Sequence, residues 1–423
     1  MLALSGGRDS VTLLDLLRPL CAARGIALSA AHVHHGLSAH ADDWAAFCEA
    51  LCRRAGVALH TLRVSVERAD STSVEAAARH ARYRALAALA GEAGADTVVL
   101  AQHADDQAET LLLQLMRGAG PHGLAAMAPQ RSAHAIAWLR PLLDVPRSAI
   151  DAHVAAHAIE HVDDDSNASM RFRRNALRQH VVPLLRTIAP GYPHTLVRAA
   201  ALAGEAAALA DELAELDAGG ACDGATLSRT RLAALAPHRA RNLLRWFLRG
   251  QGLRMPSSAR LAQMLAQLAR AAPDARVALV HERVVIGVQG DRVIVHAPPP
   301  PPFECTWHGE RALALPHGTL GFDPQAGAGL RTAAPDARVW TVRARRGGEY
   351  LTLDASRPRR PLKALLHDAS MPVWERDALP LVFCGNALAA VPGVGVDVAF
   401  RTDTDGVCVR WRPNAPDAAQ KTR

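Results

Sequence analysis

A glycine-rich loop near the start of the chain constrains its fold more than any other feature. The loop reads SGGRDS at residues 5–10 and lies between a short apolar strand and a segment with apolar residues at helical spacing, which we expect to end at Pro19. Two glycines let the backbone turn tightly and bring its amides close to a ligand. Because the amino-terminal end of the following helix adds a positive dipole, the loop is suited to bind phosphate.

Side chains of the loop extend this interpretation. The hydroxyls of Ser5 and Ser10 are further donors, and the carboxylate of Asp9 is the kind of ligand that Mg²⁺ prefers. The competing interpretation is an ordinary turn in which Asp9 or Ser10 caps the helix. A Walker loop is excluded because it needs Gly-Lys followed by Ser or Thr, and the only lysines, Lys363 and Lys421, lie in other contexts.

Composition divides the 423 residues into three blocks. Residues 1–190 alternate short apolar strands with helical segments, which predicts an α/β fold with a doubly wound, mostly parallel sheet. Residues 191–297 are rich in Ala and Leu at helical spacing, so we predict a mainly helical domain. It ends in a predicted hairpin of residues 284–288 and 292–296 that turns at Gly290–Asp291. Residues 298–302 are five prolines, a stiff linker, and residues 303–412 are predicted to form a small α/β domain. Strands of the first block are predicted at residues 2–4, 28–34, 59–66 and 97–101.

Cysteine usage and hydropathy exclude other classes of protein. The seven cysteines include no CxxC pair, and Cys48 and Cys52 are more typical of small buried hydrophobes than of ligands. No apolar run is long enough to span a bilayer, so we expect a cytoplasmic protein. The formal net charge of +7 and the pI of about 9.4 are compatible with binding to nucleic acid.

A second polar segment, QHADDQAET at residues 102–110, follows the last of these predicted strands. Ligands of doubly wound sheets bind beyond the carboxyl ends of strands, where Ser5, His34 and His103 are all predicted to lie. Asp106 and Glu109 are three residues apart, so both carboxylates share a helix face and are able to position an amine or a second metal ion. Alternatively, the carboxylates only complement the helix dipole and His103 is an ordinary loop histidine.

Basic segments offer candidate RNA contacts, each with a competing interpretation. Arg79 is spaced to contact both Glu75 and Tyr83, and a surface ion pair with Glu75 explains that spacing equally well. The segment DDSN at residues 164–167 precedes a dense arginine run at residues 171–178. Such a run is either a solvated face or a contact with RNA phosphates. The same alternatives apply to the arginine stripe at residues 241–249 and to the basic region at residues 343–363.

Ten strings occur in a fixed order along the chain: SGGRDS at residues 5–10, HVHHGL at 32–37, EAAARHARY at 75–83, QHADDQAET at 102–110, RGAGPHGLAAM at 117–127, DDSN at 164–167, RNALR at 174–178, RRPLK at 359–363, PVWERDALPLV at 372–382 and VPGVGVD at 391–397. Together these strings resemble the bacterial tRNA(Ile)-lysidine synthetases, a family of PP-loop ATP pyrophosphatases with an adenine nucleotide alpha hydrolase-like fold. The departures from the family pattern are at His34, Ser38, Gln102 and Asp165. The first strand is also short for the family, so we expect the natural start to lie upstream of Met1.

The resemblance implies a ligase that uses ATP to join L-lysine to the 2-position of the wobble cytidine of a CAU-anticodon tRNA(Ile). The base is first adenylated with release of pyrophosphate, and lysine then displaces AMP. Catalytic residues on this reading are Asp9, His103, Asp106 and Glu109, with Mg²⁺ on Asp9. ATP-binding residues are Ser5, Gly6, Gly7, Arg8, Asp9 and Ser10. Candidate tRNA contacts are Arg79, Arg174, Arg178, Arg241, Arg245, Arg359 and Arg360.

Rival functions remain at this point. Another PP-loop tRNA-modifying enzyme, such as a cytidine thiolase, shares the loop, although iron–sulfur thiolases carry paired CxxC motifs that are missing here. An ATP-sensing RNA-binding protein without turnover is the alternative from a different class, but sensing requires no set of carboxylates such as Asp9, Asp106 and Glu109. Dimers occur among similar enzymes, so a homodimer is compatible with the resemblance.

Overall fold

The chain divides into two compact units, Met1–Ala210 and Asp211–Arg423. The structure is a computed structural model that describes residues 1–34, 36, 40–64, 74–133, 135–163, 173–219, 226–270, 277–331, 339–369 and 371–414.

The first unit is built around a six-stranded sheet in the order β3-β2-β1-β4-β6-β5, in which only the pairing of β5 with β6 is antiparallel. Its strands are β1 (Leu2–Ala3), β2 (Ser29–His34), β3 (Ala58–Arg63), β4 (Thr97–Val99), β5 (Gln130–Ala133) and β6 (Ile136–Leu139). Its helices are α1 (Arg8–Ala23), α2 (Ala41–Ala55), α3 (Val74–Glu92), α4 (Ala104–Met116), α5 (Pro121–Leu124), α6 (Arg147–His157), α7 (Arg173–Ala176) and α8 (Val182–Ile188), with a π-helical turn at Leu177–Val181. A further helix, α9 (Tyr192–Ala218), begins in the first unit and ends in the second. The four strands predicted from the sequence lie at β1 to β4.

Side-chain alternation along β1 explains the double winding. Leu2 and Leu4 lie in one buried cluster with residues of α1, α2 and α6, whereas Met1 and Ala3 belong to a second cluster with residues of α3. Successive side chains of a strand point to opposite faces, so this central strand has to be covered on both sides. The predicted doubly wound, mostly parallel sheet is confirmed.

The strand order reverses at β1, whose neighbours are β2 on one side and β4 on the other. The chain runs outward from β1 to β3 and then returns to add β4 on the opposite side. In open α/β sheets the crevice beyond such a reversal is where ligands bind. The loops after β1 and β4 are the two segments singled out from the sequence, and they meet at this crevice.

The prediction that Pro19 ends the first helix is wrong, because α1 continues to Ala23 with Pro19 inside it. Proline removes one backbone donor, and it usually kinks or ends a helix. Here the interruption falls in the last two turns, where Arg18, Pro19 and Leu20 are exposed. The helix therefore loses one hydrogen bond outside its buried first half.

The second unit begins with helices that pack on a four-stranded antiparallel sheet of order β7-β10-β9-β8. Phe247 and Leu248 of α11 are buried in its core. The hairpin turning at Gly290–Asp291 is confirmed, and β7 was not predicted. The elements are β7 (Thr226–Ser228), α10 (Arg229–Ala234), α11 (Pro237–Gly250), α12 (Ser258–Arg270), β8 (Ala278–His281), β9 (Val284–Gln289) and β10 (Arg292–His296).

After the five prolines, antiparallel strands dominate. One sheet has the order β11-β14-β17-β18-β19, another β12-β13-β20, and β15 pairs with β16. The elements are β11 (Glu304–Trp307), β12 (Ala312–Leu315), β13 (Gly318–Gln325), β14 (Trp340–Ala344), β15 (Tyr350–Leu351), β16 (Arg360–Pro361), α13 (Leu362–Asp368), α14 (Val373–Ala378), β17 (Pro380–Cys384), β18 (Ala387–Val391), β19 (Gly395–Val396), a 3₁₀ turn (Val398–Phe400) and β20 (Gly406–Pro413).

None of the helices within the described ranges is both long and apolar enough to cross a membrane.

Candidate active site

Hydrogen bonds within the loop between β1 and α1 close it on itself. The backbone amide of Ser5 donates to Ser10 Oγ at 3.2 Å, and Ser10 Oγ donates to the carbonyl of Gly7 at 2.9 Å. The hydroxyls of Ser5 and Ser10 are 3.1 Å apart. Ser10 is buried and fixes the loop, whereas Ser5 is exposed and its hydroxyl accepts from the Gly7 amide at 3.4 Å.

The floor beneath the loop leaves little room for a side chain at position 6. Gly6 has φ +84°, and a Cβ there would lie 3.0 Å from Val162 Cγ2 and 3.1 Å from Cys48 Sγ. The Val162 amide donates to the Gly6 carbonyl at 3.0 Å, so this floor is bonded to the loop. Burial raises the pKa of the Cys48 thiol to about 12, which confirms the prediction of a small buried hydrophobe at that position.

The side chain of Arg8 is directed to neighbours outside the loop. Its guanidinium donates to Asp151 Oδ1 at 2.7 Å and to His161 Nε2 at 3.3 Å. The hydrogen bond that Arg8 donates to the Asp151 carboxylate raises the pKa of Arg8. Contact between residue 8 and a phosphate would therefore use the backbone amide, which belongs to the open first turn of α1.

Asp9 faces His103 across the crevice. His103 Nε2 lies 3.7 Å from Asp9 Oδ2 and 3.5 Å from Asp106 Oδ2, and the His103 ring is about 1% exposed. Burial raises the pKa of Asp9, and the opposing effects of His103 and Arg147 are smaller. The structure thus brings three of the four predicted catalytic residues together.

Asp9 also provides the best candidate ligand for a cation. Its Oδ1 is buried, and no described residue donates a hydrogen bond to it. Among the described residues no group of three or more His, Cys, Asp or Glu side chains is arranged to hold a metal ion. Mg²⁺ in nucleotide sites is commonly held by one or two carboxylates together with substrate phosphates, so a single orphaned carboxylate oxygen fits that mode of binding.

Glu109 is clamped by two arginines. Its Oε2 accepts from Arg174 Nε at 2.8 Å, and its Oε1 accepts from Arg178 Nε at 2.8 Å. Arg178 also donates to Oε2 at 3.0 Å, and the Glu109 side chain is only about 3% exposed. The same arginines lie 3.7 and 3.5 Å from Asp106 Oδ1. Arg174 and Arg178, predicted as tRNA contacts, therefore lie inside the carboxylate cluster.

Further cations lie on α3 beside this cluster. Arg79 is exposed, and its guanidinium lies 5.3 Å from the centroid of the Tyr83 ring. Arg82 is half-buried; burial and the nearby cations Arg79 and Arg174 lower its pKa, while Asp106 opposes them. Sequence reasoning missed Arg82, although the string EAAARHARY that carries part of the resemblance contains it.

Arg140 was also missed. It is about 7% exposed and donates to Gln102 Oε1 at 3.0 Å and to the carbonyl of Ala128 at 2.8 Å. Its guanidinium also reaches the Tyr83 hydroxyl at 3.4 Å. No sequence motif marked this residue, because its partners come from three separate segments of the chain.

The remaining candidate tRNA contacts belong to the second unit. Arg241 and Arg245 lie on α11, and no described carboxylate pairs with either. Arg359 lies 5.1 Å from the centroid of the Tyr350 ring, and Arg360 donates to Asp368 at 2.6 Å. The segment at residues 164–167, together with Arg171, Ser38 and the Glu75 side chain, lies outside the described residues.

Comparison with known proteins adds three family models. A PP-loop domain model matches residues 1–185, a TilS substrate binding domain model matches residues 227–293, and a TilS substrate C-terminal domain model matches residues 340–412.

Similar curated proteins cover nearly the whole chain. A protein of Nitrosomonas europaea is 40% identical over 97% of this chain and 91% of its own length, and one of Burkholderia pseudomallei is 40% identical over 98% and 93%. A third, from Ralstonia nicotianae, is 41% identical over 97% and 92%. All three are named tRNA(Ile)-lysidine synthase.

Proposed function

This chain belongs to the tRNA(Ile)-lysidine synthase family, and on that premise we propose that it joins L-lysine to the wobble cytidine of a tRNA(Ile) with a CAU anticodon. The reaction consumes ATP and forms lysidine through an adenylated base. The observation that carries the proposal is the meeting of Asp9, His103 and Asp106 within 3.7 Å at the carboxyl ends of the adjacent strands β1 and β4.

The first step forms a bond between the 2-carbonyl oxygen of cytosine and the α-phosphorus of ATP, and the bond to pyrophosphate breaks. Negative charge develops on the phosphates during this step. The amides at the start of α1 and the exposed hydroxyl of Ser5 are placed to bind those oxygens. Gly6 adopts the positive φ of +84° with which the loop turns toward the start of α1.

Mg²⁺ would be held by Asp9, through the Oδ1 atom that lacks a described donor. When bound, the ion neutralises phosphate charge and polarises a phosphoryl oxygen. Burial raises the pKa of the Asp9 carboxyl, and a bound cation would lower it.

In the second step the ε-amine of lysine attacks the adenylated carbon and AMP leaves with the bonding electrons. The amine has to be neutral and oriented, and it loses a proton as the new bond forms. Asp106 is the better candidate to orient the amine and to accept its proton, because both oxygens of Glu109 already accept hydrogen bonds from Arg174 and Arg178. At Asp106 the backbone amide of His103 donates to Oδ2 only, at 3.2 Å. Glu109 then acts as the anchor of those two arginines.

No carboxylate among the described residues pairs with Arg241 or Arg245 on α11 or with Arg359 near β16, so these arginines are the candidates in the second unit to contact the tRNA backbone. Arg79 is exposed on α3 and is the candidate beside the site. Phosphate contacts of this kind position the RNA without reading its sequence. We place the enzyme in the cytoplasm, and a homodimer remains a prediction.

Incubation with ATP, Mg²⁺ and labelled lysine tests the proposal on tRNA(Ile) transcripts that carry CAU or GAU anticodons. We expect label only in the CAU transcript, with one AMP and one pyrophosphate released per lysine. Release of pyrophosphate without incorporation of lysine would favour another PP-loop tRNA-modifying enzyme. If neither product forms although the transcripts bind, the chain is an RNA-binding protein without this turnover.

A further inference from the structure

Asp105 lies between His103 and Asp106 in sequence, and the function proposed above does not use it. Its side chain is about 9% exposed, and both of its oxygens accept hydrogen bonds. Oδ1 accepts from the hydroxyl of Tyr192 at 2.9 Å, and Oδ2 accepts from the backbone amide of Arg147 at 2.8 Å. Arg186 adds a cation 3.6 Å from Oδ1. A buried carboxylate with a donor at each oxygen is held in a fixed position.

The His103 ring lies against this carboxylate with one nitrogen unsatisfied. Its Nδ1 is buried, lacks a hydrogen-bond partner among the described residues, and lies 3.8 Å from Asp105 Oδ2. Its Nε2 points the opposite way, toward Asp9 and Asp106. A buried polar nitrogen without a partner costs free energy, so a small shift of the ring toward Asp105 is favoured. Such bonds are often long in enzymes without substrate and shorten when the substrate binds.

We propose that Asp105 is a positioning residue for His103: it accepts a hydrogen bond from Nδ1 and so holds Nε2 at the nucleotide loop. The partner of one imidazole nitrogen determines the direction and the tautomer of the other. Tyr192 in turn fixes Asp105, because its buried hydroxyl donates to Oδ1. This inference rests on the proposed function, in which Asp9, His103 and Asp106 form the active site beside the nucleotide loop.

A purely structural role of Asp105 is the competing explanation, since the residue also joins the first turn of α4 to α6 and α9. The two explanations differ in a double-mutant cycle. If Asp105 acts through His103, its loss has no further effect once the imidazole is gone. If Asp105 only holds helices together, the fold losses in kcat of the two single variants multiply in the double variant.

The experiment compares full-length wild type with D105N, H103A and the double variant, and measures kcat and the KM for ATP of lysidine formation. We expect D105N to lower kcat about 10- to 100-fold with a much smaller change in KM. We expect the double variant to be no slower than H103A. Y192F, which keeps the carboxylate but removes its donor, should give a smaller loss that also vanishes in the H103A background.

D15N is the matched control, because Asp15 Oδ2 lies 2.9 Å from His153 Nε2 in a carboxylate–histidine pair outside the site. It should leave kcat unchanged. Multiplicative losses in the double variant, or a D105N enzyme with normal kcat, would overturn the proposal. If wild type releases pyrophosphate but forms no lysidine, the proposed function fails, and the same cycle on pyrophosphate release still tests Asp105. If wild type shows neither activity, both proposals fail.

Discussion

Two constraints act together on the residue at position 6. Gly6 has a positive φ, and a Cβ there would meet Val162 and Cys48 at 3.0 and 3.1 Å. Gly56, at the end of α2, has a similar φ of +67° but faces open space. A comparison of substitutions at Gly6 and Gly56 therefore separates the cost of a positive φ from the cost of steric conflict with the floor of the nucleotide loop.

We expect G6A to lower the affinity for ATP, because the loop must shift to admit the methyl group. It should also lower the free energy of unfolding by more than the 1–2 kcal/mol or so that an unfavourable φ costs alone. Calorimetric titration with ATP and urea denaturation measure the two effects. G56A, the control, should show only the smaller loss of stability, and a G6A protein that binds ATP like wild type would contradict this account of the loop.

The carboxyl of Asp105 predicts a pH dependence of stability. Burial raises its pKa, but hydrogen bonds from Arg147 and Tyr192 together with nearby cations lower the pKa further than burial raises it. A carboxyl with a depressed pKa in the folded state stabilises that state above the pKa of the unfolded chain, near pH 4, and loses this effect as the pH falls through the folded value.

The difference in the free energy of unfolding between wild type and D105N should thus be constant above about pH 5 and shrink below about pH 4. Urea denaturation at several pH values measures it. A difference that stays the same down to the acid transition would show that Asp105 is not stabilised as a carboxylate.

At the scale of single residues, sequence reasoning found the groups that follow strand ends but not what they contact. Ser5, Asp9 and His103 were predictable because strands β1 and β4 end just before them. The hydrogen bonds from Arg174 and Arg178 to Glu109 were not predictable, because those arginines lie more than 60 residues away in the chain. Spacing in the sequence predicts which residues share one face of a helix. It does not predict which residues of another element contact that face, because those contacts depend on tertiary packing.

Local helix geometry places two arginines of the run at residues 173–178 where both bind the carboxylate of Glu109. Arg174 lies in α7 and Arg178 in the π-helical turn that follows, four residues later, so both guanidiniums lie on the same side. They reach the two oxygens of Glu109, which is about 3% exposed. Removal of the carboxylate would leave two neighbouring cations without their partner.

We expect E109A to abolish most lysidine formation and to lower the free energy of unfolding by about 1–3 kcal/mol, the cost of an unsatisfied buried ionic group. Urea denaturation and the lysine-incorporation assay provide the two readouts. E49A removes the partner of Arg53 in an exposed pair on α2 and should cost less than about 0.5 kcal/mol. Equal losses for the two variants would contradict the clamp.

Element positions were more predictable than element ends. Strands β1 to β4 and the hairpin near Gly290 lie where apolar runs and turn residues indicated them, whereas β5 and β6 were not predicted. The end of α1 was predicted wrongly at Pro19, because an exposed last turn tolerates the lost hydrogen bond. Strand β7 was missed because its three residues carry too short a pattern and are stabilised by pairing with β10.

Across the whole molecule, the distribution of unpaired positive charge suggests which residues bind the tRNA backbone. The formal net charge is +7, and many arginines are already paired with carboxylates. On α11, Arg249 pairs with Asp211, whereas Arg241 and Arg245 pair with no described carboxylate. The unpaired members of the stripe are the ones free to replace counterions on phosphates.

We expect the double variant R241A/R245A to weaken tRNA binding most at low salt and to reduce the slope of log affinity against log salt by about 1 for each lost phosphate contact. Filter binding across a salt series measures the slope. R249A, the control from the same helix, should change it less. The effect should be equal for CAU and GAU transcripts, since backbone contacts do not read sequence; an unchanged slope would remove α11 from the tRNA interface.

On the proposed function, lysidine forms in the crevice between the loop after β1 and the start of α4. Mass spectrometry of the wobble nucleoside, after incubation of the CAU transcript with ATP, Mg²⁺ and lysine, tests it most directly. We predict a lysine-bearing cytidine with wild type and unmodified cytidine with D9N. Unmodified cytidine with wild type, or lysidine formed equally by D9N, would contradict the claim.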